Sequence, residues 1–173
     1  MHRKIITDKV LTKDIIANKA PILVRKEADI RCISNTTYIK ATYEVVKLPM
    51  KKDEVFHKGT VHKPSDLVYK MFVSALHENQ HDGIKPIIGT TFNVNTCIEL
   101  QNPDVFDWEK AIKLAQAKAD MKALKYIVST SRKVQARILS MSHVIREMQS
   151  LSEIGLASIA DKEVGLFNNV ELE

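Results

Sequence analysis

Two cysteines, far apart in the chain, are too few for a disulfide framework or a thiolate metal site. Cys32 and Cys97 show no CxxC spacing, so both are expected as reduced thiols. Five glycines and five prolines in 173 residues leave no composition for a flexible linker or a low-complexity tract. No run approaches the ~18 apolar residues of a membrane helix, and "MHRKIITDKVLTKD" lacks the unbroken apolar stretch of a signal peptide. The expected location is therefore cytoplasmic or otherwise intracellular, without a membrane partner. The sequon Asn35-Thr36-Thr37 is then expected to stay unmodified. No P-loop, nucleophile elbow or dinucleotide fingerprint occurs, and no cofactor is implied.

What is present suits a soluble domain with a real core: 45% of residues are apolar and 27% charged. The expected organisation is one α+β domain over residues 1–154 and an acidic tail over 155–173. Charge is distributed unevenly. Residues 110–146 hold nine basic side chains against one acid, Asp120, whereas 151–173 hold five acids and one lysine. Such asymmetry points to an anionic partner for the first segment and a different task for the second.

Thr12 is placed to cap a short helix, "KDIIANK", ended by Pro21. "PILVRKEADIRCIS" and "TYIKATYEVVKLP" are rich in β-branched and aromatic residues, with a hairpin turn expected at Ser34-Asn35-Thr36. In the second strand Ile39, Ala41, Tyr43 and Val45 share one face, and Lys40, Thr42 and Glu44 the other. "MKKDEVFHKGTVHK" reads as an exposed loop. Ser65 is positioned to cap a helix over 66–80, and Gly83 to stop it. "TTFNVNTCIEL", residues 90–100, alternates as a strand.

Asn102 followed by Pro103 is expected to open a long helix. Trp108, Ile112, Ala115, Ala119 and Tyr126 make one apolar stripe. Leu114, Ala117, Met121, Leu124 and Val128 make a second, nearly opposite. Such a helix is expected to be covered on both sides, by the sheet and by a second helix or subunit. Ser131 in "STSRK" is expected to recap the chain. Beyond it Val134, Ile138, Met141, Ile145 and Met148 follow the 4-3-4-3 spacing of a pairing helix. The expected fold is α+β: an antiparallel sheet over about 20–100, with one inserted helix, packed against long C-terminal helices over about 103–152.

His77-Glu78-Asn79-Gln80-His81 spells the H-E-x-x-H pattern, in which two imidazoles one turn apart hold zinc and the glutamate serves as base. The helical wheel opposes this reading. Val68, Met71, Phe72 and Ala75 define the expected buried face, and His77 and His81 fall on the solvent side, in the last turn. Histidine there has a simpler role, complementing the negative end of the helix dipole. A zinc hydrolase with His77 and His81 as ligands is accordingly the minor reading, with Glu99 or Glu109 as third ligand.

The basic segment carries the leading expectation, nucleic-acid binding by a non-enzymatic protein. Its candidate contacts are Lys110, Lys113, Lys118, Lys122, Lys125, Arg132, Lys133 and Arg137. Lys118, Lys122 and Lys125 share one helix face, and Tyr38, Tyr43 and Phe92 are aromatics able to stack on bases if exposed. "EKAIKLAQAKADMKALKY", which follows a strand, is similar to the Ala/Lys-rich helix that follows the sheet in single-strand annealing proteins. The likeness is one of composition over residues 109–126. In the tail, Leu166, Phe167 and Val170 among the acids suggest a docking segment for a partner, or for the basic helix of its own or a neighbouring chain. The alternative function is therefore an oligomeric structural subunit, for instance of a virus particle.

Overall fold

The computed structural model describes residues 2–10, 23–46, 55–57, 60–62, 64–78, 81–99 and 107–170. The expected short helix after Thr12, the Asn102-Pro103 start and Leu100 lie outside them. The fold is α+β: an antiparallel sheet packed against a long C-terminal helix. The chain forms two compact units, Met1–Val134 and Gln135–Glu173.

In the first unit, strands β1 (His2–Val10), β2 (Leu23–Ile33) and β3 (Thr36–Val45) are followed by β4 (Val55–His57) and β5 (Thr60–His62). Helix α1 (Pro64–Glu78) precedes β6 (Ile84–Pro86) and β7 (Thr91–Glu99). The main sheet runs β1-β2-β3-β7-β6, antiparallel throughout, and β4-β5 pair separately. Three features differ from the sequence expectation. β1 and β6 are additional strands, and Val55–His57 pairs with Thr60–His62 in a stretch expected as an exposed loop. The alternation in these short strands does not register as a strand pattern.

The β2–β3 turn falls at Ser34-Asn35, with Ser34 left-handed at φ 54°. As the alternation of β3 requires, Ile39, Ala41, Tyr43 and Val45 are buried. The same phase in β7 buries Phe92 and Val94. In β2 the register slips at a bulge: Arg25 pairs with Tyr43 and Glu27 with Thr42, leaving Lys26 over. The extra residue inverts the strand's phase, so that Leu23 and Arg25 join Ala28, Ile30 and Cys32 on the buried side.

Helix α2 (Trp108–Val170) begins one residue after Asp107, whose Oδ1 accepts the amides of Glu109 at 2.9 Å and Lys110 at 3.2 Å. It lies on the core through Ala115, Ala119 and Ala123, small side chains one turn apart, with Ala111 buried in line with them. The expected break at "STSRK" does not occur. Thr130 Oγ1 donates to the Tyr126 carbonyl at 2.9 Å, satisfying its hydroxyl within the helix, and the chain continues helical to Val170. α1 contributes Leu76 and Phe72 to the same core. It opens at Pro64, one residue ahead of the expected cap, and Val68, expected inside, is 42% exposed.

The second unit is the continuation of α2, and every residue from Gln135 to Ala160 is exposed.

Candidate functional surfaces

The lysine stripe has a structural task that its spacing does not reveal. β6 pairs with β7 as far as Val94, and among the described residues no strand pairs with the carbonyls of Asn95 and Cys97 on that side. Lys118 Nζ donates to the Cys97 carbonyl at 2.7 Å, and Lys122 Nζ to that of Asn95 at 3.2 Å. The two ammoniums cap edge acceptors and oppose pairing by another strand. Gly83 is needed beside them. Its φ of 70° is left-handed, and a Cβ there would stand 2.6 Å from both the Asn95 oxygen and Lys122 Nζ. Lys110, Lys113, Lys125 and Arg132 are exposed on the first unit, as is Lys133; Arg137 is exposed on the second.

Of the three candidate stacking aromatics, two are core. Tyr43 and Phe92 are fully buried and stack on each other at 5.6 Å, with Tyr126 tilted against Phe92 at 5.0 Å. Burial raises the Tyr126 phenol to about 12, and its hydroxyl donates to the Leu76 carbonyl. Only Tyr38, 48% exposed, stands on the opposite face of the sheet. It lines a shallow depression of about 450 Å³ with Arg31, Lys40, Asn95 and Asp29. Hydrogen bonds from Arg3 and Arg31 hold the Asp29 carboxyl down at about 2.

Asp120, the lone acid of the basic segment, is buried against Arg25. Arg25 Nη1 donates to its Oδ1 at 2.9 Å, and the Tyr43 hydroxyl donates to the same oxygen at 2.8 Å. Burial, then the charge of Asp120, drives the Tyr43 phenol well above its ordinary value. Arg25 Nη2 reaches Gln116 Oε1 at 3.4 Å, while Nε has no partner among the described residues. This cluster joins β2, β3 and α2. Sequence periodicity could not locate it, because it depends on the bulge at Lys26 that turns Arg25 inward.

The two histidines of H-E-x-x-H do not share a helix. α1 ends at Glu78, so His77 lies in its last turn and His81 beyond it, contrary to the expectation that both close the helix. His77 Nε2 donates to the Gly89 carbonyl at 2.7 Å, and His81 meets the Tyr126 ring edge-on at 5.7 Å. Glu78 Oε1 accepts from Ser74 Oγ. Among the described residues no three histidine, cysteine, aspartate or glutamate side chains are grouped to hold a metal. No described helix is long and apolar enough to cross a membrane.

Apolar side chains account for the remaining candidate surfaces. In the first unit, the α2 stripe of Leu114, Met121 and Val128 is exposed, with no described element over it. In the second unit Ile138, Met141, Ile145 and Met148 are exposed at their heptad spacing, with Val144 and Leu151 beside them. The side chains of the tail candidates Leu166, Phe167 and Val170 lie outside what the structure describes. Comparison with protein families, with curated proteins and with solved structures found no match.

Proposed function

We propose that this protein is a self-assembling structural subunit, with the C-terminal part of α2 as its association element. The observation that carries this reading is the exposure of Ile138, Met141, Ile145 and Met148 along one helix face. A helix in water draws most of its stability from packing an apolar face, and nothing described packs on this one. Burying such a side chain is worth ~1.5–3 kcal/mol. Four from each of two copies therefore give at most about 12–24 kcal/mol, set against an association cost of ~4–15 kcal/mol. Light scattering on the full chain is expected to report an oligomer. Ile145→Asp with Met148→Asp should reduce it to a monomer while the near-ultraviolet dichroism of the first unit persists. A wild-type monomer at the highest soluble concentration would sink the reading.

A second reading is favoured by a separate observation. Lys110, Lys113, Lys125 and Arg132 are exposed on α2, which suits contact with the phosphates of a nucleic acid. Lys118 and Lys122 already cap the β7 edge, so replacing them would confuse binding with folding. The informative variant is Lys125→Glu with Arg132→Glu. Single- and double-stranded DNA and RNA are expected to bind with an affinity that falls as salt rises. In a plot of log affinity against log salt, this variant should flatten the slope by roughly 0.9 for each phosphate it no longer engages. Affinity indifferent to salt would reject the reading.

A further inference from the structure

Gly155 lies inside α2, where glycine is the poorest helix former after proline. The fold of the chain itself does not explain it. Gly155 is not left-handed, and a Cβ at that position would meet nothing within 4 Å. A glycine with ordinary helical geometry and open space around it admits close approach by another backbone.

The surrounding pattern says what. With Ile138, Ile145, Ser152 and Ile159 at heptad position a, position d takes Met141, Met148 and Gly155. The flanking e and g positions hold Ser142, Gln149 and Leu156 and then Val144, Leu151 and Ser158. None of these is charged. The ionisable residues of the stretch, His143, Arg146, Glu147 and Glu153, all fall at the outer b, c and f positions, where His143 pairs with Glu147 at 3.4 Å. A seam without charge carries no like-charge penalty against a copy of itself.

Its direction follows from size and charge. Parallel pairing sets Gly155 against Gly155 and Ser152 against Ser152, leaving two poorly filled layers. It also places Arg132, Lys133 and Arg137 beside their own copies. Antiparallel pairing with Ile145 level with the partner's Met148 sets large against small: Ile138 over the partner's Gly155, and Met141 over the partner's Ser152. Val144 then meets the partner's Leu151. The basic run that begins at Arg132 in one copy comes level with the stretch of the other that leads into Asp161 and Glu163.

We infer that two copies pair antiparallel through residues 138–159, with Ile138 of each seated over the partner's Gly155. The inference rests on the self-assembly reading and adds its geometry. Residue-specific crosslinking separates the two directions.

Thiol crosslinking gives an independent reading in full-length protein carrying Cys97→Ser. Met141→Cys protein mixed with Ser152→Cys protein should form mixed disulfide dimers, whereas Ser152→Cys protein alone should not. A Ser152→Cys protein that crosslinks to itself overturns the antiparallel pair and leaves self-assembly standing. A monomer in light scattering removes both.

Discussion

At the scale of single residues, the firmest commitment of the fold is the buried cluster of Arg25, Asp120 and Tyr43. The pair is buried, with Arg25 2% exposed, and it joins residues 95 apart in sequence. A buried ion pair is no guarantee of net stability, because desolvation offsets most of the attraction. Breaking it is another matter, since the surviving charge is left without compensation. Arg25→Ala is expected to cost about 3–5 kcal/mol in urea unfolding. Arg25→Met combined with Asp120→Leu should recover most of that stability. If the single and double variants unfolded at the same urea concentration, the cluster would not be a coupled pair. The histidines show the opposite lesson. His77 and His81 match a catalytic spelling, yet the helix ends between them, and each ring has a local partner of its own.

At the scale of elements, α2 depends on the row Ala111, Ala115, Ala119 and Ala123. These four are fully buried, and opposite them the sheet presents Ile30, Ile39, Tyr43 and Phe92. The strands supply bulk to this core and the helix small side chains. Ala119→Leu should therefore cost about 1–3 kcal/mol through overpacking, measurable as a lower denaturation midpoint. An unchanged midpoint would mean that the helix does not seat where the core places it. The sheet has its own protection at β7, where Lys118 and Lys122 occupy carbonyls that a shorter β6 leaves open. That arrangement is an edge defence built from a neighbouring helix.

At the scale of the whole molecule, the two compact units differ in kind. The first has a buried apolar core between sheet and helices, with Leu114, Met121 and Val128 left exposed on α2. The second is helix alone, with its apolar residues exposed from Ile138 to Ile159. Its stability as a helix calls for a partner surface, and its uncharged seam suits a second copy. The basic and acidic segments that read as separate functions in sequence become, in an antiparallel pair, two halves of one complementarity. That is why self-assembly is proposed ahead of nucleic-acid binding, although the basic segment by itself points to a phosphate partner.

Much of this was legible from the chain alone, for identifiable reasons. Alternation in β3 and β7 determined which side chains are buried, because a pleated strand offers only two faces. The stripe from Trp108 to Tyr126 determined the seated face of α2, and the 4-3-4-3 spacing after Val134 marked a helix with an apolar seam. Long-range placement was decided only in the tertiary structure. The bulge at Lys26 turns Arg25 toward Asp120, and a short β6 exposes the carbonyls that engage Lys118 and Lys122. Local patterns determine an element's face because they are set by backbone geometry. What that face meets depends on residues far away in sequence, brought close only when the sheet and helix come together.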